Sequence, residues 1–314
     1  MLRVAALWFA FAVPAAADPV ASVQVLWQGG DMKVETYGGS TPDSTFAIAS
    51  VGKTLTSVVI LSLVEEGALQ LDAPIAPLLP EDVTDGLGGL DGITLRHLLT
   101  MESGLPDYYD YTFLTDALDD PESVATPQDA VSYAYDLPAQ FEPGTRFDYS
   151  NTNYVLLGLI AERITGQSYA RLIQSRVLDP AGMADSFVFG SMPLPDSFVT
   201  GHERRVHVRD YYNGTGFGDG GVISTGPDLV RFYNALFFDR ILISDTSLRE
   251  MMRDPRGDQY GMGLVVGGDT IGHSGADLGF SAEVMANLTT GDIAVILIAK
   301  DSADTDWVYD QVGD

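Results

Sequence analysis

Apolar and polar residues alternate through "ASVQVLWQGGDMKVETYGG" on either side of Gly29-Gly30-Asp31. A period of two broken by a glycine-rich turn predicts a β-hairpin near the N-terminus. The pattern changes at Ser50. From there to Glu66 apolar residues occupy almost every face (Val51, Leu55, Val58, Val59, Ile60, Leu61, Leu63, Val64), and Gly67 follows as a stop. A helix apolar all round is a buried one. The middle of the chain reads as mainly helical and rich in loops. There "TNYVLLGLIAERITG" predicts a helix stopped by Gly166, and "YARLIQSRVLDPAGM" predicts another. A glycine-rich stretch, "YYNGTGFGDGGVISTGPDL", leads to Thr225 and Asp228, whose spacing is that of a capping box ahead of "DLVRFYNALF". Strand-like segments close the chain: "YGMGLVVGG", "DLGFSAEVMANL" and "DIAVILIAKD", with "TTGD" turning between the last two. Strands at both ends and helices between them predict an α+β fold. One antiparallel sheet is assembled from both termini and flanked by helices, with a mainly helical part inserted. The expected division is a single domain over residues 18–314, with an α/β part at about 18–75 and 220–314 and a helical part at about 76–219.

The first residues, "MLRVAALWFAFAVPAAADPV", depart from this scheme. Arg3, an apolar run from Val4 to Val13 and Ala15-Ala16-Ala17 before Asp18 read as a secretory signal over residues 1–17, so the mature chain is expected to start at Asp18 and to be secreted or periplasmic. An apolar run of roughly ten residues is too short to cross a bilayer, which takes about 20. The chain has no cysteine, which excludes disulfides, thiolate metal sites and attachment of lipid through cysteine. Its formal net charge is −27, and lysine occurs only at Lys33, Lys53 and Lys300. Such a surface repels nucleic acid and anionic membranes, because phosphate binding needs clustered Lys and Arg. The expected partner is a small-molecule or peptide substrate.

The scarcity of lysine draws attention to "FAIASVGKTL", where Ser50 and Lys53 stand three residues apart and share one helical face. Ser50 at the start of a helix reads equally as a cap or as a nucleophile. Serine needs a neighbouring base to attack, and a lysine serves where burial and nearby positive charge make its neutral amine accessible. A helix N-terminus also favours a developing oxyanion. The spacing alone is not specific. A second element is "FDYSNTNYVLLG", where Tyr149 could relay a proton and Asn151 could donate to a substrate carbonyl. Tyr-x-Asn recurs at Tyr211-Tyr212-Asn213, in what reads as a turn, so context separates the two occurrences. A third is "IGHSGADLGF", with His273-Ser274-Gly275 at an expected strand start. There a glycine lets a substrate backbone approach and a histidine could stabilise charge.

Taken in order, Ser-x-x-Lys, Tyr-x-Asn and His-x-Gly make the sequence resemble the serine β-lactamase-like hydrolases. That family includes class C β-lactamases, D-alanyl-D-alanine carboxypeptidases, D-aminopeptidases and related esterases. Further resemblance lies in "LRHLLTMESGLPDY", "LDPAGMADS", "GDGGVISTGPDLVRF" and "YGMGL", and extends over about residues 20–300. The resemblance implies a β-lactamase/transpeptidase-like fold, Ser50 as the acylated nucleophile and Lys53 as its proton partner. It implies Tyr149 as the second acid/base, with Asn151, His273, Ser274 and Gly275 binding substrate. The oxyanion hole would be the N–H groups of Ser50 and Ala276. Which of Lys53 and Tyr149 takes the first proton stays open, since the two would titrate as a pair. Histidine where class C β-lactamases have lysine argues against an efficient β-lactamase and resembles the peptidase branch, so the expected activity is most like that of a D-alanyl-D-alanine carboxypeptidase or D-aminopeptidase, with a carboxylesterase or weak β-lactamase as the alternative. No Arg or Lys lies in "YGMGLVVGGDTIGHSG" to hold a terminal carboxylate, which raises the odds of an esterase or amidase.

Neither a metal nor another cofactor is expected. Of His97, His202, His207 and His273, none forms His-Glu-x-x-His, and "DSADTDW" lacks the Gly and Glu positions of a calcium loop. The abundant acidic residues read as solvated surface. The alternative of another class is a non-catalytic cell-wall or ligand-binding module that keeps the fold. The presence of every residue the chemistry needs favours catalysis.

Overall fold

The computed structural model describes residues 20–203 and 206–313; the segment read as a secretory signal, residues 1–17, lies outside the described residues. The strands are β1 (Ser22–Gln28), β2 (Asp31–Tyr37), β3 (Phe46–Ala47), β4 (Phe187–Val188), β5 (His202–Glu203) and β6 (Val206–His207). They continue with β7 (Val222–Ser224), β8 (Val265–Gly267), β9 (Thr270–Asp277), β10 (Phe280–Asn287) and β11 (Ile293–Ile298). The main sheet has six strands in the order β2-β1-β11-β10-β9-β8, with antiparallel neighbours throughout. The N-terminal hairpin thus adds to the C-terminal strands, as the alternation at both ends of the chain predicts. Between β3 and β7 the helices Glu81–Leu87, Leu95–Leu99, Tyr111–Asp119, Pro127–Ser132, Thr152–Thr165 and Tyr169–Ile173 make up most of the ordered elements.

Side chains alternate across a strand, and both faces of this sheet are covered. Val284, Val295 and Leu297 join Val23 and Val25 in the main core, under the helix Gly226–Phe237. Met285, Ala294 and Ile296 point the other way and pack with Val308 and Val312 of a short closing helix, Trp307–Val312. That last helix, six residues long, is too short to announce itself by periodicity. The helix Gly52–Glu65 is buried over almost its whole length, as an all-round apolar pattern requires, and packs on the equally buried helix Thr152–Thr165.

Two local readings change. Thr225 does cap the helix Gly226–Phe237, its hydroxyl accepting from the N–H of Asp228 at 3.2 Å. Asp228 does not return the bond as a capping box would. Its carboxylate is fully buried and accepts from the N–H of Asp185 (2.9 Å) and the hydroxyl of Ser186 (2.8 Å), and it pairs with Arg231. The box is given up because the carboxylate ties the 185–186 turn to the helix. Likewise "YGMGLVVGG" yields only the short β8, and His273-Ser274-Gly275 lie in the body of β9 rather than at its start.

Removing a fully buried carboxylate with three partners leaves the N–H of Asp185 without its acceptor and unties Ser186 and Arg231 from the helix. Asp228→Ala is therefore expected to lower unfolding free energy by about 3 kcal/mol; urea denaturation measures this, and a loss below about 1 kcal/mol would contradict the role given to Asp228.

Candidate active site

Ser50 lies in a 3-10 turn, Ala49–Val51, immediately before the helix Gly52–Glu65. It caps neither element, since no side-chain cap bond forms at either N-terminus, so the capping reading falls away. The turn is tight. Ala49 has φ +47°, a left-handed conformation that costs a residue with a Cβ roughly 1–2 kcal/mol. Two close approaches hold it. A Cβ on Gly220 would lie 3.0 Å from the carbonyl carbon of Ala49, and one on Gly275 would lie 2.7 Å from Ile48 O and 2.8 Å from Ser50 N. Gly275 is therefore demanded by the serine turn that packs against β9, rather than by the approach of a substrate. β8 pairs with β9 only from Thr270 to Gly272, so on that edge β9 beyond Gly272 lies alongside the turn, while its other edge stays paired with β10.

Lys53 is completely buried and its Nζ makes three hydrogen bonds: to Ser50 Oγ at 3.0 Å, Asn151 Oδ1 at 2.7 Å and the backbone carbonyl of Asp219 at 2.6 Å. The same Nζ lies 5.1 Å from the centre of the Tyr149 ring and 5.8 Å from that of Tyr154. An amine fixed by two acceptors can present either an N–H or a lone pair to the third partner. Exchange of a proton between Lys53 and Ser50 thus leaves the other two bonds in place.

Asn151 is set by a residue that sequence reasoning passed over. Its Nδ2 donates to Asp107 Oδ2 at 3.0 Å, which fixes Oδ1 toward Lys53. Asp107 Oδ1 accepts from the N–H of Asn151 (2.9 Å) and of Tyr109 (3.2 Å) at the start of the helix Thr152–Thr165. That is where a helix favours negative charge. Thr152 pins the same loop, its hydroxyl accepting from Tyr108 N and donating to Pro106 O. Burial raises the pKa of Asp107, and the backbone donors hold it partly down.

In front of Ser50 opens a cavity of about 190 Å³, whose wall includes Ser50, Tyr149, Asn151, Asp219, Ala276 and Asp277. Ser50, Lys53, Tyr149, Asn151 and Ala276 are brought together. The Tyr149 hydroxyl is buried there without a hydrogen-bond partner among the described residues. His273 lies behind the wall: Nδ1 meets the carbonyl of Ser274 at 2.5 Å, Nε2 meets the Tyr260 hydroxyl at 3.1 Å, and the ring packs against Tyr149. Ser274 is exposed. Neither it nor Gly275 forms part of the cavity wall. Burial, with Lys53 nearby, pushes His273 down to about 3, so the imidazole is neutral.

Aspartates taken as solvated surface are also here. Asp219 accepts from the Tyr108 hydroxyl (2.7 Å), and Asp277 from the hydroxyls of Tyr109 (2.6 Å) and Tyr212 (3.2 Å). Burial raises both carboxyls above the ordinary range, opposed at Asp219 by Lys53 and at Asp277 by the Tyr109 bond. Tyr211, read as part of a turn, stands on the same wall.

A family model described as Beta-lactamase matches residues 17–312. Penicillin-binding protein 4* of Bacillus subtilis is 32% identical over 86% of this chain and 63% of its own length. A D-aminopeptidase of Brucella anthropi is 30% identical over 81% of this chain and 49% of its own. The chain thus spans about half to two thirds of these curated relatives. The crystal structure of a D-stereospecific amidohydrolase from Streptomyces sp. superposes with a TM-score of 0.80, at 27% identity and 93% coverage of both chains.

A histidine with a lowered pKa withholds a proton that the unfolded chain binds, so its contribution is intact above pH about 6.5 and is lost as pH falls toward about 3. Between pH 6 and 4 the wild type is expected to lose up to about 1.4 kcal/mol per pH unit relative to His273→Gln. Urea unfolding of both proteins across that range measures it, and parallel curves would refute the buried neutral imidazole.

Proposed function

The chain belongs to the Beta-lactamase family, and from that membership we propose that it is a serine hydrolase which forms an acyl-enzyme on Ser50 and cleaves an amide or ester. One observation carries the reading: the buried contact of 3.0 Å between Lys53 Nζ and Ser50 Oγ, with the other two bonds of the lysine committed to Asn151 and Asp219 O. Lys53 takes the hydroxyl proton as Ser50 Oγ attacks the substrate carbonyl carbon. The N–H groups of Ser50 and Ala276 steady the oxyanion. The leaving amine or alcohol takes its proton through Tyr149, whose hydroxyl has no hydrogen-bond partner among the described residues. Water then attacks the ester on Ser50, its proton passes through the same pair to the departing Ser50 Oγ, and the acid is released. Asn151 holds both the lysine and the substrate carbonyl region. His273 supports the ring of Tyr149 from behind as a neutral group.

The substrate class follows the D-aminopeptidase and amidohydrolase relatives more closely than a carboxypeptidase. No Arg or Lys stands among the residues lining the cavity, so a terminal carboxylate has no partner there. The same absence suits a carboxylesterase, the second reading. Export to the periplasm or beyond is supported by the leader pattern of residues 1–17. Among the described residues no helix is long and apolar enough to cross a membrane.

Lys53→Ala and Tyr149→Phe are each expected to lower kcat/KM for p-nitrophenyl acetate by about 10²–10⁴-fold, with the far-ultraviolet circular dichroism unchanged. Near-normal turnover by Lys53→Ala would remove the base assignment.

A further inference from the structure

We infer that the cavity in front of Ser50 selects its acyl donor by a positive charge, a primary ammonium seated against Asp219 with Asp277 close by. This rests on the reading of Ser50 as nucleophile and names the substrate that reading leaves open.

The backbone at 218–219 is pinned: a Cβ on Gly218 would lie 2.1 Å from the carbonyl oxygen of Tyr154, and the carbonyl of Asp219 is taken by Lys53. Its side chain is turned by the Tyr108 hydroxyl, which donates to Oδ2 at 2.7 Å. No hydrogen bond from another described residue reaches Oδ1, and Asp219 lines the cavity. Asp277 is the more enclosed of the two: Oδ1 accepts from Tyr109 and from the N–H of Leu278, and Oδ2 from Tyr212.

Every one of these donors is a phenol or a backbone amide. They orient the two carboxyl groups and bring no positive charge to them, and burial keeps Tyr108, Tyr109 and Tyr212 as protonated donors by raising their pKa values. Neither aspartate has an ion-pair partner among the described residues; Lys53, whose charge acts on Asp219, is already held by three acceptors. Aromatic side chains make up much of the remaining wall, among them Tyr108, Tyr109, Phe189, Tyr211 and Phe217. Ring faces attract a cation and offer an anion nothing. A cavity with two fixed carboxylates, aromatic faces and an open acceptor oxygen matches an ammonium and opposes a carboxylate. Its volume of about 190 Å³ suits an amino-substituted carbon with a small side chain. A groove of about 450 Å³ shares Tyr109, Ala276 and Asp277 with it and leaves room for a larger substituent.

The test compares p-nitroanilides of D-alanine, N-acetyl-D-alanine and N-succinyl-D-alanine, with their L counterparts. These place a positive, a neutral and a negative group on one acyl unit with one leaving group. The free amine is expected to exceed the N-acetyl compound by at least about 100-fold in kcat/KM, with the N-succinyl compound slowest. Asp219→Asn and Asp277→Asn should each reduce that ratio at least about tenfold. A neutral substrate turned over as well as the cation, or a ratio unmoved in both variants, would overturn the inference.

Binding separates this outcome from failure of the nucleophile reading. Calorimetry of D-alaninamide against N-acetyl-D-alaninamide on Ser50→Ala protein should still show the preference for the amine, and its loss on adding Asp219→Asn. Equal binding of the two amides overturns the inference even where Ser50 proves to be the nucleophile. Undiminished turnover of p-nitrophenyl acetate by Ser50→Ala would instead overturn only the nucleophile reading.

Discussion

The site depends on one buried amine. Lys53 lies at zero exposure in the first turn of a helix apolar on every side, and such a group is tolerated only because three oxygens meet it. Each oxygen comes from a different part of the chain: a side chain on the turn before the helix, a side chain before the helix Thr152–Thr165, and a backbone carbonyl from the glycine-rich loop ahead of β7. Satisfying Lys53 therefore assembles three segments about 100 and 166 residues apart in sequence.

The constraint spreads outward. Asn151 can face Lys53 only while Asp107 holds its amide nitrogen, so a buried carboxylate is kept beside a helix N-terminus. The carbonyl of Asp219 reaches Lys53 only because Gly218 and Gly220 let that loop pass close to Tyr154 and Ala49. Ala49 in turn adopts a left-handed backbone that places Ser50 at the mouth of the cavity while its neighbours are buried. Strain of this kind persists where surrounding packing over-determines it, and here β9 supplies that packing through Gly275.

Much of this was legible in the chain. The alternation at both ends foretold a sheet shared between the termini, and the all-round apolar helix after Ser50 foretold a buried one. Ser50, Lys53, Tyr149 and Asn151 stood out because their motifs are local and lysine is scarce. Asp107, Asp219 and Asp277 did not. In a chain with 44 acidic residues, three that turn inward carry no distinguishing spacing. The acceptor that Asp219 offers Lys53 is a backbone carbonyl, which no side-chain pattern reports. His273 was found for its place in a motif, but its neutrality comes from Tyr260, Tyr149 and Lys53 packed around it. Gly275 was noticed as a point of close approach, and the neighbour found there is the turn that carries Ser50.

The account stands or falls on Ser50 being a nucleophile activated by its lysine rather than a polar residue in a buried turn. The direct measurement is the intact mass of the protein after incubation with a fluorophosphonate, for the wild type and for Ser50→Ala. A single adduct on the wild type, mapping to Ser50 and absent from the variant, is the predicted result. No adduct on the wild type, or the same adduct on both proteins, would contradict it.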